Sequence, residues 1–325
     1  MTLLSARQTN RNRDELFTSS GVIHVRPVAR RLASDMHLLA RKGLLAAGVL
    51  ALLTSPFAVG RAGELTLAIV QAGIQANEDA PFAPANYEFL PGEYLYFTFT
   101  ISGYQTEKKA DAIRLHLEYV VDLEDSKGVP LTPPESGTIQ DELHPQDSDW
   151  LPKRRQSFQL PSQVAAGSFN VQVTVHDAVA KTQIKKQFKF RIGGRKLLPT
   201  ETLGVQNFHF YRTENDTEPL EVVAYRPGDT IWARYDIVGF KTDAKHAYKV
   251  DYALTVYRPD GTVFLSAPKA GEQSSADFYA AQFIPGVLSL TTTGDSPHAE
   301  YTIVLTVQDE IGKQTFEHKY PFRVE

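Results

Sequence analysis

The chain has 325 residues, 42% hydrophobic, 22% charged and 10% aromatic, with no cysteine. That apolar fraction excludes a wholly disordered chain, and 21 Gly with 19 Pro are too few for a collagen-like or low-complexity one. Without cysteine there is no disulfide, Cys-ligated zinc, iron–sulfur cluster, cysteine nucleophile or lipid-modified cysteine, and the length suits two domains with separate cores.

The first element in chain order reads as an export leader. Arg41-Lys42 precede an uncharged stretch, Gly43–Leu53 (GLLAAGVLALL), followed by Pro56 and the small-residue run Ala58-Val59-Gly60-Arg61-Ala62-Gly63. A basic region, a short apolar region and small residues at a cleavage site describe a secretory signal. Residues 43–53, at about 1.5 Å each, cover roughly half a bilayer core, so a membrane anchor is the weaker reading. Residues 1–63 are therefore expected to be a leader, with a short signal helix over 43–53 and cleavage near Ala62. Membrane attachment is expected only through an uncut leader. Met36 opens a stretch with the proportions of a complete signal, so it rivals Met1 as the start. Arg30-Arg31 suggests twin-arginine export, but no Phe-Leu-Lys follows it.

The leader holds nine of the 34 Lys/Arg and three of the 38 Asp/Glu, so the body carries 25 basic against 35 acidic groups, near −10 rather than −4. A net-acidic body without a basic stripe is a poor binder of nucleic acid or anionic membrane. An exported chain without cysteine fits a bacterial envelope better than a eukaryotic secretory route, whether periplasmic, cell-surface or secreted. In that setting the sequon Asn215-Asp216-Thr217 carries little meaning.

The body repeats itself. Phe89 to Tyr104 (FLPGEYLYFTFTISGY) aligns with Tyr225 to Phe240 (YRPGDTIWARYDIVGF) at a shift of 136 from Pro91/Pro227 through Gly103/Gly239. Phe169 to Asp177 (FNVQVTVHD) aligns with Tyr301 to Asp309 (YTIVLTVQD) at a shift of 132, continuing through Lys181/Lys313, Phe188/Tyr320, Phe190/Phe322 and Ile192/Val324. Agreement at both ends of such a unit marks a tandem duplication, with a period too long for a solenoid. Domain 1 is expected over 64–193, a Gly/Pro linker over 194–200 and domain 2 over 201–325.

Alternation with period two dominates each copy. Leu95, Phe97, Phe99 and Ile101 point one way; Tyr94, Tyr96, Thr98 and Thr100 point the other. Ile231, Ala233, Tyr235 and Ile237 repeat the inward set, and Val171, Val173, Val175 and Ile303, Leu305, Val307 repeat the pattern near each end. Pro-Gly ahead of the early strand suits a type II turn, and Tyr257 to Val263 (YRPDGTV) reads as strand, turn, strand. Gln105–Asp111, Glu135–Trp150 and Ser266–Phe278 read as loops. No apolar stripe of period 3.6 runs longer than a turn or two, so an all-β antiparallel sandwich is predicted for each copy, with a closed barrel as the alternative.

The closing segments carry a resemblance. Val173 to Asp177 with Lys181 and Phe188/Phe190/Ile192, and Leu305 to Lys313 with Tyr320/Phe322/Val324, resemble the last hairpin of bacterial immunoglobulin-like domains of the PKD-like and cadherin-like kind. That group often ends in Y-x-V-x-V-x-V-x-D-x-x-G-x. Copy two keeps the glycine as Gly312, whereas copy one has Ala180, so its turn is expected to be built differently. The Pro-Gly-Glu/Asp motif is also similar to macroglobulin-like domains and to a bacterial proteinase-inhibitor sandwich. The resemblance implies two tandem immunoglobulin-like sandwiches and licenses no activity.

Candidate chemistry is sparse. Asp177 and Asp309 are calcium candidates, as acidic residues are at domain ends in cadherin-like arrays; the structural alternative is that each accepts turn amides. The acidic run Asp122 to Gly128 lacks EF-hand spacing and looks like a hairpin turn. No histidine pair has metal-ligand spacing, and no nucleophile elbow, P-loop or dinucleotide fingerprint occurs. Tyr94, Tyr96 and Trp232 alternate away from the presumed core, and Trp150 sits in a Pro- and Asp-rich loop. Such rings could stack on sugars, meet a partner protein or the other domain, or simply cover the sheet. The reading that follows is an exported, non-catalytic interaction or structural module without cofactor or resident metal. Its expected partner is another envelope or extracellular protein, bound by presented loops or by sheet-edge pairing. The alternatives are a carbohydrate-binding module, with polysaccharide as ligand, and an enzyme with its site in the interdomain groove.

Overall fold

The computed structural model describes residues 23–27, 66–109, 112–147 and 149–325. The signal helix expected over 43–53, the cleavage site near Ala62, the Arg30-Arg31 pair and the start at Met36 lie outside the described residues. Among the described residues no helix is long and apolar enough to cross a membrane.

The chain divides into two compact units. One ends at Lys196; the other comprises Leu197–Glu325 together with a strand from the N-terminal segment, β1 (Ile23–Pro27). Both are β-sandwiches, as the alternation predicts.

The first unit contains β2 (Ala68–Gln75), β3 (Glu88–Phe89), β4 (Tyr94–Ser102), β5 (Glu107–Lys109), β6 (Ala112–Glu124), β7 (Glu135–Leu143), β8 (Lys153–Gln159), β9 (Gly167–Asp177) and β10 (Thr182–Ile192). One sheet runs β2-β4-β8; the other runs β3-β10-β9-β6-β5, with β7 also paired to β6. All pairs are antiparallel except β3 with β10. Leu95, Phe97, Phe99 and Ile101 are fully buried and face Leu117, Val121, Leu123, Val171, Val173 and Val175 across the sandwich. Each such side chain contributes about 1.5–3 kcal/mol of transfer free energy.

The second unit contains β11 (Gly204–Tyr211), β12 (Ala224–Tyr225), β13 (Thr230–Val238), β14 (Ala247–Tyr257), β15 (Val263–Ala276), β16 (Ile284–Thr291), β17 (Ala299–Asp309) and β18 (Gln314–Val324). Its sheets run β1-β16-β13-β11 and β12-β18-β17-β14-β15. The core is Ile231, Ala233, Tyr235 and Ile237 against Val250, Leu254, Val256, Ile303, Leu305 and Val307.

The duplication survives as register. Val175 pairs with Ile184 in the first unit and Val307 with Phe316 in the second, both at the 132 shift. The step from 136 to 132 falls mostly between Gly103/Gly239 and β6/β14, where copy one inserts β5. Gly103 and Gly239 adopt φ of 67° and 69° at the end of the central strand, and a Cβ at either would fall on the carbonyl of Thr66 or Thr202. Gly92 and Gly228, at 85° and 90°, confirm the Pro-Gly turns.

Three expectations are corrected. Most of Glu135–Trp150 and of Ser266–Phe278 is strand, β7 and β15, rather than loop, and Gln105–Asp111 contains β5. Both longer strands pair on one side only, and in β7 Ile139 alone is fully buried, so the alternation that betrays a strand is missing. Second, the turn after Asp177 is built like the turn after Asp309. The left-handed residue is Lys181 or Lys313, at φ 57° and 52°, one place beyond Ala180 and Gly312, so alanine serves. Third, Thr98 and Thr100 are buried although they face away from the core. Thr98 Oγ1 donates to Gln75 Oε1 at 2.7 Å and receives Arg155 Nε at 3.4 Å, flanking strands closing over it.

Candidate functional site

Asp177 and Asp309 end β9 and β17 as buried carboxylates. Asp177 Oδ1 accepts the amides of Val179 (2.9 Å) and Ala180 (3.0 Å), while Oδ2 accepts that of Gln105 (2.7 Å). Asp309 Oδ1 accepts Ile311 (3.0 Å) and Gly312 (2.9 Å), and Oδ2 accepts Lys241 (2.8 Å) and the Gln314 side-chain amide (3.3 Å). In each copy the carboxylate ties the last hairpin to the loop that leaves the central strand. Within Asp122 to Gly128, Asp125 Oδ1 closes the turn on the amides of Lys127 and Val129 at 2.8 and 2.9 Å. Burial pushes the Asp122 carboxyl above its ordinary range, against the pull of Lys185 and the Gln172 hydrogen bond. Among the described residues no group of three or more His, Asp or Glu side chains is arranged to hold a metal ion.

The candidate aromatics fall at separate places. Tyr94 and Tyr96 lie on the outer face of β4, ring centroids 6.5 Å apart, and Tyr94 is 50% exposed. A third ring, absent from the sequence reading, joins this face: Phe82, 49% exposed, lies over Gly73 of β2, where a Cβ would come within 2.5 Å of its ring. The loop carrying Phe82 is tied down by Ala83 N on Ile74 O (2.7 Å) and by the Gln75 side-chain amide on Ala80 O. Only the small residue at Gly73 hints at this contact. Trp150 belongs to the loop before β8, its carbonyl accepting the Tyr104 hydroxyl at 2.7 Å. Because Lys153 pairs with Thr100 and Gln159 with Tyr94, Trp150 and Tyr94 sit at opposite ends of a ladder that is itself roughly 20 Å long at ~3.4 Å per residue.

Trp232 occupies on β13 the position of Tyr96, and the cross-strand partners match: Ser157 opposite Tyr96, Ser289 opposite Trp232. Its other neighbour is Tyr211, against whose ring the Arg234 guanidinium packs at 3.7 Å. Two residues from Trp232, Thr230 lines a shallow polar depression with Arg212, Arg226 and Asp229. Asp229 there accepts the Arg226 amide at 2.9 Å. These arginines come from loops and formed no motif that a sequence scan would find.

On the outer face of the first unit's larger sheet, Glu118 lies between His116 (3.6 Å) and His176 (3.4 Å), with the Gln140 amide 3.0 Å from His116 Nε2. Both histidines are partly exposed on that face. The row is assembled by β6–β7 and β6–β9 pairing.

No protein-family model and no curated protein matches the chain. Among solved structures, it is similar to the C-terminal domain of the Streptococcus pyogenes antigen I/II-family protein AspA (11% identity, 78% of this chain, 99% of that one, TM-score 0.27). The Streptococcus agalactiae AgI/II polypeptide BspA C-terminal domain gives 11%, 78%, 100% and 0.26. A family 123 glycoside hydrolase from Clostridium perfringens gives 10%, 38% of this chain, 27% of that one and 0.27. Likenesses this faint carry no functional weight, so function rests on the chain's own residues.

Proposed function

We propose that the chain is an exported, non-catalytic interaction module whose two immunoglobulin-like sandwiches present an outer sheet face to an envelope or extracellular protein. The observation that carries this reading is the outer face of β2-β4-β8, which carries Phe82, Tyr94 and Tyr96 while the central strand buries Leu95, Phe97, Phe99 and Ile101 on the other side. Rings held on a stiff sheet offer contact area at small entropic cost, as hot-spot residues do. Export is supported by the pattern of residues 41–62. The test is site-specific photo-crosslinking in the producing cell from position 94, with position 263, also 50% exposed, as the control. A discrete adduct from 94 alone supports the reading; equal labelling from both positions, or none from either, removes it.

A second reading, glycan binding, is favoured by Trp232 beside the Arg212/Arg226/Asp229 depression, since sugar sites combine a flat ring with charged hydrogen-bonding groups. Retention on polysaccharide that is unchanged in Trp232→Ala removes it.

A further inference from the structure

Sheet edges are where a β-protein is most open to another chain, and this protein blunts almost all of the edges among its described residues. β3 and β12 are two residues long and β5 three. β2 and β11 carry bulges, with Gln71 and Asn207 at positive φ. β7 carries Glu135, Asp141 and Glu142, and β15 is interrupted opposite Ala253 by Pro268, Lys269 and Ala270. β8 presents Lys153-Arg154-Arg155.

The exception is β16. At the 132 shift the matched residues are Pro285-Gly286-Val287, so the basic triplet of β8 is replaced by residues without charge. From Gly286 to Leu290 the edge has no charge, no proline and no bulge, and β1 fills it. The ladder is continuous: Ile23 opposite Leu290, His24 opposite Ser289, Val25 opposite Leu288, Arg26 opposite Val287 and Pro27 opposite Gly286. Ser289 is 4% exposed, whereas Ser157, its match on the uncovered edge of β8, is exposed.

We propose that the Gly286–Leu290 edge is a strand-acceptor site. Ile23–Pro27 occupies it in the full-length chain, and leader removal opens it to an antiparallel extended segment of a partner protein with apolar residues at alternate positions. Main-chain hydrogen bonds would supply affinity and the alternate positions specificity. This deepens the proposed function and rests on it for the cleavage step. A five-residue ladder held by one chain segment is exchangeable, because the β13–β16 ladder beneath it is complete without it.

The test uses the full chain carrying His24→Pro and Val25→Pro, which blocks pairing of β1 in either register. The probe is a synthetic peptide of residues 21–29, GVIHVRPVA. Expected results are binding of the peptide to the variant at least about tenfold tighter than to the wild type, and slowed amide exchange in Gly286–Leu290 once it is added. N-methylation of residues 23 and 25, or of 24 and 26, should abolish binding for one pair only, since alternate amides face the acceptor. Equal binding by both N-methylated peptides, no binding to the variant, or unfolding of the second unit in the variant would each overturn the proposal. None of these readouts depends on cleavage, so failure of the export reading shows separately, as an uncut N-terminus in the isolated protein.

Discussion

Removing the carboxylate of Asp309 tests whether these paired aspartates hold the fold or hold a ligand. In Asp309→Ala the amides of Ile311, Gly312 and Lys241 lose their acceptor together. A donor left without its partner costs about 1–3 kcal/mol, and those in the turn recover part of this from water, so a net loss of about 3–4 kcal/mol is expected. At ~4 °C per kcal/mol for a unit of this size, the transition should fall by roughly 12–16 °C. Asp309→Asn keeps one acceptor but turns an N–H toward the Lys241 amide, and about half the loss is expected. The two tryptophans make the assay unit-specific: Trp150 reports the first unit and Trp232 the second. Thermal unfolding followed by fluorescence in Trp150→Phe and Trp232→Phe backgrounds should show the drop only in the second unit, and Asp177→Ala should mirror it in the first. A calcium role predicts instead that wild-type transitions rise with added calcium and fall with chelator. That response, together with a drop of under about 3 °C in Asp309→Ala, would refute the turn-amide account.

The turn beyond each aspartate gives a second prediction. Lys313→Gly and Lys181→Gly relieve a left-handed lysine and should raise the free energy of unfolding, read from urea titration, by up to about 1 kcal/mol, whereas Gly312→Ala drives a methyl onto Asp309 Oδ2 and Lys241 Cγ and should lower it by about 1–3 kcal/mol. Alkali should attack the second unit first. Burial pushes Tyr320 up to about 12 and raises Tyr225, Tyr235 and Tyr252 from the ordinary 10.0. A raised phenol favours the protonated folded state, so this stabilisation is intact below pH 10.0 and drains as pH climbs toward 12. Urea midpoints on either side of pH 10.0 should fall more for the Trp232 transition than for the Trp150 one. Finally, Phe82→Ser, at a half-exposed ring, should leave both thermal transitions within about 2 °C of wild type, because surface substitutions are nearly neutral, yet weaken the adduct formed from position 94 several-fold.

How much of this was legible depends on which face each residue serves. β4 and β13 were readable because one face is pure core, so Leu95 to Ile101 and Ile231 to Ile237 alternate cleanly. β7 and β15 were not, because edge strands bury too little to leave a period. The buried Asp236, whose Oδ2 accepts the Asn207 amide at 2.9 Å, was equally hidden: its burial comes from structure beyond its own strand. β1 escaped because the signal-like pattern downstream claimed its whole segment, and its partner strand lies some 260 residues away.

The duplication supplies an internal control that a single domain lacks. Two copies that share register across their central and closing strands face the same folding demands at matched positions, so a divergence between them marks a demand other than folding. Asp177/Asp309, Gly103/Gly239 and Ser157/Ser289 agree in identity. Tyr96 against Trp232, β5 against a direct turn, and Lys153-Arg154-Arg155 against Pro285-Gly286-Val287 do not. The last contrast is the sharpest, since charge at a sheet edge has a known use, keeping other strands away. One copy retains that protection and the other has exchanged it for a strand of its own chain, which places the difference in what each edge is allowed to meet.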